Sequence, residues 1–152
     1  MKKIFIAILP LILLASSKVC TKCNLNRAEM QCNYYVAKKG DTSKKGHCKD
    51  YADYLNDTKV YGKAAWYYLL SLEPQKSLEA AKKAVKMKEN YAYEYIADVY
   101  LIKGDKQKAK EYYKKFKKSV KNVDFFIDRN FKVLDKIYKE FNEKEAKRIL
   151  KD

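Results

Sequence analysis

The stretch YEYIADVYLIKGDKQKAKEYYKKF, Tyr93 to Phe116, decides how the rest of the chain is read. Its apolar residues recur three and four apart, the period of a helix with one buried face. Gly104-Asp105 interrupts that period once. Glycine ends a helix readily because it tolerates the left-handed backbone conformation, and aspartate starts the next by accepting bonds from its first free N–H groups. The stretch is therefore expected to be two helices folded back on each other. Tyr100, Ala109 and Tyr113 take inward positions, whereas Lys106, Lys108, Lys110, Lys114 and Lys115 are left facing solvent.

The unit recurs along the chain. Gly40-Asp41 lies 64 residues before Gly104-Asp105, and Leu72-Glu73, followed by Pro74, lies halfway between. A step of 32 also carries Val36 onto Tyr68 and Tyr100, Asn33 onto Ala65 and Ala97, and Ala52 onto Ala84 and Phe116. Small residues recur where two helices must approach, and larger ones fill the space around them. Nothing alternates with the period of a strand. Helices are predicted over 25–38, 43–56, 59–71, 76–88, 90–102, 106–120, 124–140 and 142–151. One amphipathic hairpin cannot bury its apolar face alone, so consecutive hairpins stack. An irregular helical bundle is the competing all-α arrangement.

Tyr93–Phe116 resembles a tetratricopeptide repeat. Tyr93 takes the first aromatic position, Ile96-Ala97 the Leu-Gly pair, Tyr100 the next aromatic, Gly104 the turn, Ala109 the small residue of the second helix and Tyr113 its aromatic. The preceding unit matches through Tyr61, Ala64-Ala65, Tyr68 and Ala84, with Leu72 replacing the turn glycine and Ser77 the alanine. The first unit keeps Gly40-Asp41 and Ala52 but carries Glu29 and Cys32-Asn33 elsewhere in the pattern. A last hairpin, with Val133-Leu134, Ile137, Ala146 and Leu150, fits after a slip of five residues. The resemblance implies an all-α solenoid of about four stacked antiparallel hairpins over residues 25–152. Such repeats usually run to about 34 residues rather than 32, which leaves a related two-helix repeat class open.

In that resemblance, ligands contact outward positions of each hairpin's first helix, which line a concave groove. The mapped positions are Arg27, Met30, Tyr34 and Lys38, then Lys59, Trp66, Leu69 and Leu70. They continue with Tyr91, Glu94, Asp98, Leu101 and Ile102, and end with Asp128, Phe131, Asp135 and Tyr138. Tyr34, Lys59, Trp66, Tyr91, Glu94, Asp98, Asp128 and Asp135 are the expected partner-binding residues. Trp66 falls off the core positions and offers a rigid anchor. The acids Glu94, Asp98, Asp128 and Asp135 are expected at one end, and Arg27, Lys38 and Lys59 at the other. That polarity suits an extended peptide or a partner helix.

The start of the chain has a different character. Lys2 and Lys3 precede the apolar run Ile4 to Leu14, broken only by Pro10, and Ala15-Ser16-Ser17 supplies small residues for cleavage. Residues 1–17 therefore read as an export signal. As a helix, eleven residues span only about 16 Å, short of the ~30 Å hydrocarbon core, so no integral membrane segment is expected in the mature chain. Residues 18–24 form a cysteine-bearing lead-in. Lipidation at Cys20 is the alternative, although Ser17-Lys18-Val19 lacks the leucine and small residues such a site uses.

Export places Cys20, Cys23, Cys32 and Cys48 in a compartment where an even number of cysteines reads as disulfides. In the repeat frame, Cys32 lies about eight residues before the first turn and Cys48 about eight after it, which brings them level across an antiparallel hairpin. A Cys32–Cys48 bridge would staple the most degenerate hairpin, leaving Cys20 with Cys23. The pair in CTKC could instead be a redox motif, which needs a depressed thiol pKa and a resolving partner. No βαβ pattern follows it. The spacing C-x2-C-x8-C-x15-C matches only half of a usual zinc pattern, and CTKCN lacks the histidine of a haem attachment site.

Chemistry beyond this is sparse. His47, the sole histidine, has no base or orienting partner in the sequence. GDTSKKGH has histidine where a phosphate loop needs lysine, and no strand precedes it. With four glycines in the chain, other phosphate-cradling loops are not expected. No catalytic residue, metal site or cofactor is assigned. The expected function is that of an exported, periplasmic or secreted scaffold that binds a protein or peptide segment. The formal charge of +15 keeps a basic module for nucleic acid, polysaccharide or acidic lipid as the alternative, and a thiol-redox protein as a lesser one.

Overall fold

The computed structural model describes residues 21–151, without the side chains of 21–23, 125 and 126. The export-signal reading of 1–17 and the pairing of Cys20 with Cys23 lie outside the described residues. Those described form helices and turns, with no strand.

The helices are α1 (Thr21–Gln31), α2 (Lys45–Asp57), α3 (Tyr61–Leu70), α4 (Pro74–Lys86), α5 (Ala92–Ile102), α6 (Lys106–Ser119), α7 (Val123–Ile137) and α8 (Glu143–Lys151). A π-helical segment, Cys32–Lys38, continues α1, and a short 3-10 turn, Thr42–Lys44, leads into α2. From α1 to α6 each helix packs on the next, and α3 also meets α5.

The 32-residue step is present in the backbone. Gly40, Leu72 and Gly104, each closing one hairpin, all have left-handed φ, at 74°, 60° and 80°. A leucine there costs about 1–2 kcal/mol relative to its ordinary conformation. Leu72 offsets this by packing against the core. The helix that follows each turn starts cleanly. Asp41 accepts from Ser43 N and Asp105 from Lys108 N, both at 3.0 Å, while Pro74 occupies the first turn of α4, where an N–H would be unused.

Close helix approach is set by small residues. Ala52, Ala64, Ala65, Ala81, Ala84, Ala92, Ala97 and Ala109 are all fully buried. Gly62 is the extreme case. A Cβ there would overlap Tyr91 Oη and Glu89 Oε2, so any larger residue at this point in α3 would have to displace the Tyr91–Glu89 side-chain pair.

The first hairpin is stapled as its cysteine spacing implied. Cys32 and Cys48 form a disulfide with Cα atoms 4.8 Å apart, both fully buried. The bridge joins the π-helical segment to α2 and rules out a zinc site built from all four cysteines.

The last hairpin departs from the expected stack. α7 ends at Ile137 rather than near residue 140, because Tyr138 turns extended (φ −118°, ψ 119°). The turn is held by Asp135 Oδ1, which accepts from Glu143 N at 2.9 Å, and by Asn142, which caps α8 by accepting from Glu145 N at 2.9 Å. α8 then packs on α6 and α7. α7 itself meets α3 and the π-helical segment, lying across the open side of the odd-numbered helices. Tyr138 Oη donates to Leu69 O at 2.8 Å, and Lys136 Nζ donates to Lys38 O at 3.3 Å. Phe131 is fully buried against Tyr113 and Phe141, with ring centroids 5.7 and 5.6 Å away.

Replacing Cys32 and Cys48 by serine should lower stability by about 3 kcal/mol, the loop-closure value for roughly 15 residues. Urea unfolding of the oxidised protein and the double variant measures it.

Candidate functional site

A cavity of about 700 Å³ opens between the π-helical segment and helices α1, α3, α5 and α7. Aromatic side chains form much of its wall. Trp66 and Tyr67 come from α3, Tyr91 from the turn before α5, and Tyr95 from α5. The Trp66 ring stacks on Tyr95 at 5.9 Å, and Tyr91 meets Tyr95 edge-on at 6.1 Å. Trp66 and Tyr67 are adjacent on α3 and both reach the cavity, because α7 encloses the side of α3 that an open stack would leave to solvent.

Glu29, Asn33, Lys38, Lys63 and Arg129 supply the polar part of the lining. One cluster is internally satisfied. Lys63 Nζ lies 2.8 Å from Glu29 Oε1 and donates to Tyr51 Oη at 2.8 Å. Tyr67 Oη donates to Glu29 at 3.0 Å and accepts from Asn33 Nδ2 at 3.0 Å. Burial alone would raise the Glu29 carboxyl, but hydrogen bonds from Lys63, Tyr51 and Tyr67 outweigh it and hold the group below its ordinary value. Lys38 and Arg129 are different: among the described residues no carboxylate pairs with either. The cavity therefore offers an aromatic wall and two cations without a salt bridge among the described residues, Lys38 beside the Tyr34 ring and Arg129 donating to Asn130.

The sequence-mapped groove residues separate into three groups. Trp66, Tyr91 and Lys38 line the cavity, with Trp66 a core residue only 9 % exposed rather than lying off the core positions. Tyr34 and Lys59 are exposed elsewhere. Tyr34 is 49 % exposed on the outer side of the first hairpin, beside Met30, and Lys59 sits in the turn between α2 and α3 with φ 64°. The acids do not gather at one end. Asp128 is exposed and pairs with Lys147 at 3.0 Å, and Asp135 serves the α7–α8 turn. Glu94 and Asp98 are fully buried, so neither presents its carboxylate to an open groove. Leu69, Leu70, Phe131 and Tyr138 are likewise core residues.

Glu29, Asn33, Lys63, Tyr67, Tyr95, Arg129 and Val133 were not anticipated by the mapping. Lys63 could have been found from Trp66, since positions three or four apart share a helix face, and Tyr67 then follows four positions after Lys63 rather than from its neighbour Trp66. Arg129 and Val133 carried no such signal, because they reach the cavity only through the course of α7.

The buried acids make a second cluster behind the wall. They lie one helical turn apart on α5. Glu94 Oε1 accepts from Asn130 Nδ2 of α7 at 2.9 Å, and Asp98 Oδ1 accepts from Tyr113 Oη of α6 at 2.6 Å. The other oxygen of each, Glu94 Oε2 and Asp98 Oδ2, has no partner. Burial pushes Glu94 up to about 7, against the opposing pull of the Asn130 bond and the Arg129 charge. Burial and the neighbouring Glu94 charge push Asp98 well above the ordinary carboxylate range, with the Tyr113 bond opposing. Protonated carboxyls are the form this environment favours.

No group of three or more histidine, cysteine or acidic residues able to hold a metal is present among the described residues, and none of their helices is long and apolar enough to cross a membrane. Comparison with protein-family models, curated proteins and solved structures finds no match.

Tyr113→Phe leaves the Asp98 carboxyl without its hydrogen-bond donor. The variant should lose about 1–3 kcal/mol of stability, the cost of orphaning a buried polar group, as read by thermal or urea unfolding.

Proposed function

We propose that the chain is an exported helical-repeat scaffold of the tetratricopeptide type that binds a segment of a partner protein in the cavity between α1, α3, α5 and α7. The observation that carries this reading is the combination of an aromatic wall, Trp66 with Tyr67, Tyr91 and Tyr95, and two cations, Lys38 and Arg129, that form no salt bridge among the described residues. An apolar or aromatic side chain next to an acidic group suits that surface: the ring is desolvated against Trp66 while the charge meets Arg129. The disulfide is consistent with an oxidising, exported location.

The repeat assignment draws on the shared left-handed turns at Gly40, Leu72 and Gly104 and on the sequential packing of α1 to α6. A basic anion-binding module is the other outcome the test can return. It would use the exposed lysines of α6 and depend steeply on salt through counterion release.

The test is photo-crosslinking in the protein's own compartment, from a probe placed at Lys38 and from a control probe at Lys114 on α6. Arg129→Glu together with Lys38→Glu, both away from the core, should reduce capture of the same partners through a cavity-facing probe at Tyr91 by at least tenfold. Trp66→Ala should do so by about thirtyfold, the hot-spot scale of 2 kcal/mol. Undiminished capture in both variants overturns the reading. Capture of nucleic acid or polysaccharide at Lys114 alone favours the anion-binding one.

A further inference from the structure

Why are two carboxyls kept in the core, each with an oxygen that bonds nothing? Glu94 and Asp98 lie one helical turn apart on α5. α7 reaches Glu94 directly through the fully buried Asn130, and Asp98 through Tyr113 of α6, on which the next residue, Phe131, packs. On the other side of Asn130, Arg129 lines the cavity and donates from Nε to Asn130 Oδ1 at 3.4 Å. One short run of α7 thus reaches the acid pair, the core and the binding cavity together.

We propose that Glu94 and Asp98 form a proton-held latch: α7 stays docked across the odd-numbered helices while the two carboxyls carry protons, and lifts to open the cavity when they ionise. This rests on the reading of the cavity as the binding site, but it can fail separately from that reading.

The charged and titratable groups around the pair come from α5, α6 and α7. α5 itself contributes Tyr95, with Tyr91 in the turn before it, and α6 contributes Tyr113. α7 contributes Arg129, and Tyr138 follows at its end. Arg129 is the cation acting on Glu94, and it forms no direct ion pair there. Protonated, the pair is neutral and its burial is tolerated. Ionised, it puts two like charges one turn apart in the core, with a single cation nearby. Water can reach them if α7 moves away. α5 is held by α3, α4 and α6 and has no comparable exit.

The direction of the pH effect follows from linkage. The docked state raises both carboxyls, so it holds protons that an open, water-exposed state would release. Docking is therefore strongest below the ordinary carboxylate range near pH 4 and weakens as pH rises through the raised values. Each proton released on opening multiplies the open population by up to about tenfold per pH unit in that window.

Hydrogen exchange by mass spectrometry on the oxidised full-length protein, from pH 5 to 8.5, tests the latch without any ligand. The protection factors of Val123–Ile137 should fall by up to about tenfold per pH unit for each carboxyl that ionises, about a hundredfold where both do, while those of Tyr61–Leu70 and Pro74–Lys86 hold. In Glu94→Gln/Asp98→Asn, which keeps the acceptors but cannot ionise, the α7 protection factor should be flat with pH. If that double variant does not fold, Asp98→Asn alone makes the same comparison, with a slope reduced by the site removed. An unchanged slope in the variants, a flat wild type, or equal loss from every helix overturns the proposal. Flat α7 protection beside Arg129-dependent partner capture removes the latch and leaves the cavity reading standing. Release of α7 with no capture at any pH does the reverse.

Discussion

Everything in this molecule depends on the chain reversing direction tightly and at the same point three times. A left-handed residue at Gly40, Leu72 and Gly104 lets each pair of helices run antiparallel with almost no connecting chain. Once the reversals are equally spaced, the same helix positions fall at each interface, and most of them are filled by alanine, as at Ala65 and Ala97 and at Ala52 and Ala84. Close approach then buries larger residues such as Leu69, Ile96, Tyr113 and Phe116 around the contacts. The first hairpin is the least regular. It carries a π-helical segment and has a neighbour on only one described side, and there a covalent bridge supplements the packing.

α7 converts that stack from an open surface into a cavity. Had the last pair continued the series, Trp66 would face a shallow groove. Instead the amphipathic face Ile127, Asn130, Phe131, Leu134 and Tyr138 turns inward, bonding to α5 through Asn130 and to α3 through Tyr138. The polar bond at the centre of this face rests on a carboxyl that burial makes costly to ionise. A leucine pair in place of Glu94 and Asp98 would bind α7 with no such sensitivity, which is why the acids invite a functional explanation rather than a structural one.

The hairpins were legible in the sequence because turn chemistry and helical period are local. Gly40-Asp41 and Gly104-Asp105 marked two reversals, and the spacing located the third at Leu72, where composition alone would not have placed a left-handed residue. The Cys32–Cys48 bridge followed once the hairpin was assumed. The site was legible only where one helix face sufficed, as for Trp66 and Tyr91. Glu94 and Asp98 read as groove acids because a carboxylate at a helix position is ordinarily solvated. Their burial depends on Asn130 and Tyr113, 36 and 15 positions further along. Likewise, the apolar pattern of α7 shows that one face is buried but does not say against what, so Arg129 and Val133 could not be placed.

The course of α7 and α8 also limits how such a chain can grow. Repeat proteins lengthen by duplication of a hairpin, which needs a free flank for the copy to lie on. Here α8 covers the outer side of α6, tied by Lys117 Nζ donating to Leu150 O at 2.8 Å, and α7 occupies the inner side. A hairpin added after Ser119 would find both places taken. Insertion between existing hairpins is opposed as well, because α7 ties Glu94 of α5, through Asn130, to Lys38 of the first hairpin, through Lys136, and an extra layer would pull those anchors apart. The strap that encloses the cavity therefore also acts as a ruler: among the described residues it spans the three hairpins of α1 to α6 and fits no fourth layer between them.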